Sequence, residues 1–482
     1  MPDLRPVLFV VGLMITALGV IMFIPMAVGL AYNDDSWNAF ATSGFITSLL
    51  GSIMALASYA PKANLRARGA FLLTTFSWIA LSFFAALPLL IASIGLDVTD
   101  ALFEAVSGIT TTGATVMTGL DDAPKAILIW RAILQWIGGI GIIVTAMAIL
   151  PMLNIGGMQL FRMESSDMGE KILPKAASLA AAIGMIYLLL TIACAVGYGL
   201  VGMNAFDAIA HAMTTIATGG YSTSDASLGG FMDDGADLVA IAFMLAGALP
   251  FGVYLLSWQR NFKPAFSDPQ MRGFLLIVTL LIAVITYYLW SNSIETGSHA
   301  LRLSAFNVVS IITGTGFATA DYNLWGPFAV SAFFVFMFIG GCAGSTACSI
   351  KIFRYQVAFE ALRAYLFKMP RHHAVVTMRY GGKVLPNTVV YSVMGFFFLF
   401  FTCFAITAII LSMLGLDAIT AWSGAASAIA NVGPGLGDII GPAGTYQSLP
   451  DSAKWVLMLS MIVGRLEIIT ALVLLTPSFW RA

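Results

Sequence analysis

The sequence predicts an all-α polytopic membrane protein, with four parallel helix–pore-helix–filter–helix repeats around a pseudo-fourfold pore and an N-terminal helix pair before them. Three observations predict this. The 482 residues are 59% hydrophobic and only 10% charged, and the chain holds many apolar runs of the roughly 20 residues that span a bilayer. Four short stretches interrupt that apolar sequence: Thr110-Thr111-Thr112-Gly113-Ala114, Ala217-Thr218-Gly219-Gly220-Tyr221, Thr313-Gly314-Thr315-Gly316-Phe317 and Asn431-Val432-Gly433-Pro434-Gly435. Each follows a segment of roughly 11 to 14 residues, about half of what a bilayer crossing needs. Non-helical backbone at membrane depth persists only where it is buried in protein or lines a water-filled path, so four such stretches point to one pore with four walls.

The elements follow in order, read from apolar runs bounded by polar or Pro/Gly loops. Residues 1–65 form the appended pair, with spanning helices expected at about 7–31 and 37–60. The first run is too long for a signal-peptide core and follows only Arg5, so it reads as a retained helix. Repeat 1 (66–165) places helices at about 71–93 and 126–150 around the Gly113 stretch, and repeat 2 (166–262) at about 178–202 and 236–258 around Gly219. Repeat 3 (263–384) uses about 270–292 and 327–350 around Gly316, and repeat 4 (385–482) about 388–414 and 453–478 around Gly433.

The glycines Gly113, Gly219, Gly316 and Gly433 recur at intervals of about 100 residues. Three half-helices open alike, with Asp100-Ala101-Leu102, Asp207-Ala208-Ile209 and Asp417-Ala418-Ile419. Two spanning helices per unit return the chain to its starting side, so the repeats are parallel and both termini share one side.

Charge gives the orientation. Of the 23 basic residues, only Lys125, Arg131, Arg302 and Lys454 fall on the side opposite the termini, and Arg465 lies inside a helix. The rest, among them Lys62, Arg66, Arg162, Lys171, Lys175, Arg260, Lys263, Lys351, Arg354 and Lys368, mark the cytoplasmic side. Acidic residues gather outside, including Asp34, Asp97, Asp100, Glu104, Asp207, Asp225, Asp233, Asp234, Asp237, Asp321, Asp417 and Asp451. Such a collar concentrates cations at a mouth, unless it merely solvates the outer loops.

A dehydrated alkali cation needs oxygen ligands, and backbone carbonyls supply them without the trap depth of a formal charge. Glycine permits the positive-φ or closely approaching backbone that turns carbonyls inward, and half-helices aim their partly negative ends at the membrane centre. One Thr/Gly cluster alone reads equally as a helix-packing contact. Four in matching places do not. The candidate cation ligands are Thr111, Thr112, Gly113, Ala217, Thr218, Gly219, Gly220, Gly314, Thr315, Gly316, Asn431, Val432 and Gly433, mainly through their carbonyls.

These four stretches, together with Gly340 to Ser349 and Gly464-Arg465-Leu466-Glu467, resemble the Trk/Ktr/HKT superfamily of potassium transporters, specifically its bacterial TrkH-type membrane subunit, over essentially the whole chain. The resemblance implies potassium as the transported ion, one filter glycine per repeat, a homodimer in the bacterial inner membrane, and a cytosolic nucleotide-binding regulatory ring (TrkA-like). In related plant proteins a serine at the first filter position accompanies sodium transport; this chain has Gly113.

Arg465 lies roughly 18 Å into an apolar helix, where an arginine faces a cavity or a partner. Glu467 is too near on the same helix to be that partner. The resemblance implies an electrostatic barrier below the filter; a structural bond to a carbonyl or to a neighbour's Glu467 is the alternative. The small polar run Gly340-Gly341-Cys342-Ala343-Gly344-Ser345-Thr346-Ala347-Cys348-Ser349 makes a poor helix interior. The resemblance implies an intramembrane gate formed by Gly340, Gly341, Gly344, Ser345, Thr346 and Ser349 with Arg465; close helix approach is the alternative. The basic segment Lys351 to Lys368, with Arg371-His372-His373, offers a docking surface for a cytosolic subunit.

Gly138-Gly139-Ile140-Gly141 sits inside a spanning helix and reads as helix packing, so a serine at Gly113 is expected to loosen potassium-over-sodium discrimination and a serine at Gly139 is not. Cys194, Cys342, Cys348 and Cys403 read as small core residues. His211, His299, His372 and His373 have no metal-ligand spacing, and no Walker motif, nucleophile triad or nucleic-acid motif appears. An enzyme is therefore not expected. The rival reading is a cation-coupled secondary symporter with a midplane substrate site, which inverted repeats and unwound spanning helices would favour.

Overall fold

A computed structural model describes residues 4–59, 67–92, 94–149, 176–232, 235–258, 267–371 and 373–481. The expected borders at 65, 165 and 262 lie outside the described residues, as do Lys62, Arg66, Arg162, Lys171, Lys175, Asp233, Asp234, Arg260, Lys263 and His372. The described residues are mostly helix; their strands are a two-residue pair, Arg379–Tyr380 against Lys383–Val384, closed by Gly381-Gly382 at positive φ.

The N-terminal pair forms by close approach of small residues. Cβ atoms at Gly12 and Gly51 would lie 2.9 Å and 2.8 Å from each other's carbonyls, so the helices Arg5–Ile21 and Trp37–Ala57 meet backbone to backbone. Their apolar face continues into a core shared with the first repeat, through Met22, Phe40, Trp130 and Ile133. A second core joins repeats 2, 3 and 4. The outward faces carry exposed Leu200, Leu276 and Phe398, as expected where lipid replaces water.

Among the described residues seven helices are long and apolar enough to cross a membrane, or up to nine if two sharply bent pairs each count as one span. The expectation of ten continuous spans is corrected in three places, each with a backbone cause. The span expected at 236–258 bends by 92° after Ala248, where Pro250 removes an N–H and disfavours helix at Leu249. The span expected at 453–478 bends by 104° after Arg465, where Glu467 and Ile468 take positive φ. The span expected at 327–350 is α-helical only over Pro327–Phe336; beyond Gly340 the chain forms loop structure. The corresponding helix of the first repeat, Lys125–Val144, passes into a π-helical turn at Thr145–Ile149. All four second helices are thus irregular below the level where the half-helices end.

The half-helices themselves are Val98–Ile109, Ala205–Ile216, Gly297–Thr313 and Ala418–Ala430. Three are 12 or 13 residues long; the third reaches 17. Asp97, Asn204 and Asp417 cap the first, second and fourth by accepting from the N–H groups of Asp100, Asp207 and Thr420. Asp417 therefore corresponds to Asp97 and Asn204, not to Asp100 and Asp207 as the shared Asp-Ala motif had suggested.

Candidate functional site

The four half-helices end in the same way. Thr111, Thr218, Gly314 and Asn431 are left-handed, with φ of 53°, 49°, 73° and 51°. The next residue's N–H bonds back inside the helix: Thr112 to Ser107, Gly219 to Thr214, Thr315 to Ser310 and Val432 to Ser427. These are Schellman ends, and they reverse the chain. Left-handed backbone suits Gly314 and Asn431 but strains the β-branched Thr111 and Thr218, at about 1–3 kcal/mol each.

One residue beyond the reversal comes a glycine at positive φ: Gly113 (83°), Gly220 (79°), Gly316 (82°) and Gly433 (107°). The second repeat's counterpart of Gly113 is thus Gly220, one place later than the sequence suggested. Gly219 instead matches Thr112, and Ala217 is the helix C-cap, so its place is the end of the half-helix rather than the glycine strand.

The four glycines close a ring. A Cβ on Gly113 would lie 2.1 Å from Gly219 O, on Gly220 1.9 Å from Thr315 O, on Gly316 2.2 Å from Val432 O, and on Gly433 2.7 Å from Thr112 O. Corresponding atoms meet in the same order at every step and return to the start. That is a rotation about one axis, and the ring has no room for a side chain at any of its four glycines.

Hydroxyls and amides brace the ring from behind. Ser310 Oγ donates to Phe317 O (2.6 Å), while Ser427 Oγ and Tyr446 Oη donate to Gly433 O (2.8 and 2.9 Å). Asn431 Nδ2 reaches Thr112 Oγ1 at 2.9 Å, joining repeat 4 to repeat 1. Gln135 brackets Gly220, donating to Gly219 O at 2.6 Å and accepting from Tyr221 N at 3.0 Å. Sequence reasoning missed these residues. One signal was available: a hydroxyl residue, Ser107, Thr214, Ser310 or Ser427, precedes each ring glycine at one constant offset, and that offset selects Gly220.

On one side of the ring lies a cavity of about 230 Å³, lined by residues after the glycines, including Thr115, Tyr221, Ser222, Pro434 and Tyr446. On the other side the segment 340–349 crosses. Cys348 touches repeat 1 through Thr111 Oγ1 (3.5 Å) and repeat 3 at Gly314, where a Cβ would stand 3.1 Å from its own. Ser349 N donates to Ala430 O of repeat 4 (2.9 Å), and Thr346 donates through N and Oγ1 to Gly247 O of repeat 2 (3.2 and 2.9 Å). The segment is buried and self-braced: Ser345 Oγ donates to Cys342 O, Ser349 Oγ to Met337 O, and Gly340 N to Ile350 O. Its glycines have local causes. Gly344 and Ser349 sit at positive φ, and Cβ atoms on Gly340 and Gly341 would strike Cys348 O and Ala347 Cβ. Cys348 is thus part of the site rather than only core filling.

Arg465 is buried, donates to Cys348 Sγ and to Gly138 O (3.4 Å), and lies 5.8 Å from the Trp78 ring centroid. Its Nε has no hydrogen-bond partner among the described residues. Glu467 does not share a continuous helix with it; the break turns Glu467 onto Arg354. Gly138 and Gly139 pack as expected, but on the ring's own support: Cβ atoms there would meet Ile109 O at 2.0 Å and Tyr187 Oη at 2.5 Å. A serine at Gly139 is therefore not a silent control.

The acidic residues expected to face outward mostly serve structure. Glu104 pairs with Arg131 (2.7 Å), Asp100 with Lys454 and Asp237 with Arg302, while Asp225 accepts from Gly119 N and Leu120 N. The buried His211 bridges Asp207 O and Ser222 Oγ. Among the described residues no cluster of three or more His, Cys, Asp or Glu could hold a metal ion.

Known proteins resemble this chain throughout its length. The profile of the TrkH family, described as a cation transport protein, matches residues 36–481. The Trk system potassium uptake protein TrkI of Halomonas elongata is 44% identical over 99% of this chain and 97% of its own. The Trk system potassium uptake protein TrkH of Vibrio parahaemolyticus is 40% identical over 99% of each. The crystal structure of the potassium transporter TrkH from Vibrio parahaemolyticus superposes with a TM-score of 0.92 at 39% identity, covering 99% of both chains.

Proposed function

The chain belongs to the TrkH family of cation transport proteins, and on that premise we propose that it takes up potassium through the ring of backbone carbonyls around Gly113, Gly220, Gly316 and Gly433. It is a multi-pass membrane transport protein, and its relatives carry the name of potassium uptake proteins. The observation that carries the reading is the closed ring, in which each glycine abuts the carbonyl of the next repeat. Clustered carbonyls at fixed radius replace the hydration shell of an alkali cation, and the half-helix ends add negative potential. The segment 340–349 is the gate and Arg465 its electrostatic partner. The protein works as a homodimer in the bacterial inner membrane with both termini cytoplasmic, and a TrkA-like nucleotide-binding ring docks on the basic helix Ile352–Lys368.

Broken second helices are a feature of the symporter alternative. The rotational relation among the repeats weighs against it, because inverted repeats would relate the ring by a two-fold axis in the membrane plane.

Ion flux into liposomes holding purified protein, with potassium, rubidium, sodium and lithium gradients, tests the reading. Gly113→Ser places a side chain where Gly219 O stands, so potassium-over-sodium discrimination falls on the order of tenfold, about 1.4 kcal/mol. Gly199→Ser, where a Cβ meets nothing within 4 Å, leaves it unchanged. Equal selectivity in both variants would remove the ring from permeation.

A further inference from the structure

The second helix of repeat 1 carries Gln135 before Gly138, at the spacing at which Met244 precedes Gly247, Met337 precedes Gly340 and Met461 precedes Gly464. The glycines fix the correspondence in three repeats, since Gly138, Gly247 and Gly464 each abut a half-helix carbonyl, of Ile109, Ile216 and Ile429. All four preceding side chains are fully buried, so one polar amide replaces a thioether in an otherwise apolar set. A buried amide costs free energy unless it is hydrogen-bonded, and here the ring backbone supplies both bonds. Gly219 O can only accept and Tyr221 N can only donate, which fixes the amide's orientation.

The consequence is chemical asymmetry in the ring. Gly219 O, the counterpart of Thr112 O, Thr315 O and Val432 O, shares its lone pairs with Gln135 Nε2. Among the described residues no hydrogen bond is donated to the other three. A carbonyl already holding a donor presents a weaker field to a cation. A weaker field favours the larger, more easily dehydrated ion, because it repays less of the dehydration cost of the smaller one.

We propose that Gln135 is a specificity-determining positioning residue: by donating to the Gly219 carbonyl it weakens one quarter of the ring and biases permeation toward potassium over sodium. This rests on the ring being the permeation filter, and the test separates the two ideas. Potassium-to-sodium permeability ratios are measured in liposomes for the unaltered protein, Gln135→Met, Gln135→Glu and Gly113→Ser. Gln135→Met, which gives repeat 1 the residue of the other three, lowers the ratio about fivefold, the factor of one neutral hydrogen bond. Gln135→Glu keeps the acceptor for Tyr221 N and, once its buried carboxyl is ionised at alkaline pH, loses the donor for Gly219 O and lowers the ratio at least as far; measured there, it decides alone if the methionine variant does not fold. An unchanged ratio in folded Gln135 variants beside a lowered one in Gly113→Ser overturns the proposal and leaves the filter standing. A loss confined to Gln135→Met moves the effect to the Tyr221 bond, and failure of both Gln135 variants to fold makes the amide an assembly clamp; either overturns it. An unchanged ratio in Gly113→Ser overturns the filter reading itself.

Discussion

At Gly113, Gly220, Gly316 and Gly433 two independent demands require glycine: φ lies between 82° and 107° at Gly316 and Gly433 and close to the lower value at the others, and a Cβ would overlap the next repeat's carbonyl. Arg465 is the other residue to which the proposed function gives a part in permeation. Two unit charges about 6 Å apart at an effective dielectric near 20 interact by roughly 3 kcal/mol, before water and the half-helix ends screen it. Arg465→Ala therefore raises potassium flux several-fold in liposomes, through loss of charge and release of Cys348 together. Arg465→Lys separates the two causes: retained charge keeps flux low, whereas a lysine that behaves like alanine shows that the arginine acts by tying Cys348 to Gly138. The sequence showed that Arg465 was buried at depth, yet not what it touches, because its partners lie on repeats 1 and 3. Likewise Gly219 and Gly220 are indistinguishable as letters. The left-handed turn at Thr218, which a β-branched residue rarely adopts, moves the ring position to Gly220, and in the sequence only the constant spacing from Thr214 marks it.

Among the elements, the half-helices were legible and the breaks were not. A half-helix declares itself by an apolar stretch too short to span and a Thr/Gly or Asn/Gly exit, and in three of the four by an Asp or Asn cap. The Thr420 side chain and N–H, bonded to Asp417, hold that carboxyl below its usual value, so it stays ionised at neutral pH where it complements the helix N-terminus. A broken span keeps the apolar composition of an unbroken one, since lipid-facing and core-facing residues are alike hydrophobic, so length alone suggested a helix over 327–350. The small residues after Phe338 were the signal, and their contacts with all four repeats are what the proposed gate rests on. Shortening the segment within Gly341–Ala347 raises basal flux without any cytosolic subunit or nucleotide, measured as rubidium uptake into liposomes. Lost flux in a variant that remains monodisperse would instead make the segment a brace for the ring.

At the scale of the whole molecule, the four basic residues that break the positive-inside pattern all have structural work at or near seams between repeats. Lys125 lies over the Phe206 ring at 5.0 Å, and Arg131 links Glu104 to Ser222 O, both between repeats 1 and 2. Arg302 of repeat 3 reaches Asp237 of repeat 2, and Lys454 of repeat 4 reaches Asp100 of repeat 1. Their count was readable from the sequence; their pairing was not, because Phe206, Ser222, Asp237 and Asp100 meet them only when neighbouring repeats pack together. The Lys454–Asp100 pair matters most to closure, since it ties the last repeat to the first and Lys454 is only 3% exposed. Removing one partner of such a pair leaves an uncompensated charge and costs about 3 kcal/mol. Lys454→Met accordingly lowers the thermal midpoint of the detergent-solubilised protein, followed by tryptophan fluorescence, and adding Asp100→Asn to it restores most of the loss. A double variant no more stable than Lys454→Met alone would show that the lysine acts through packing of its aliphatic stem, and that the ring closes without help from this charge pair.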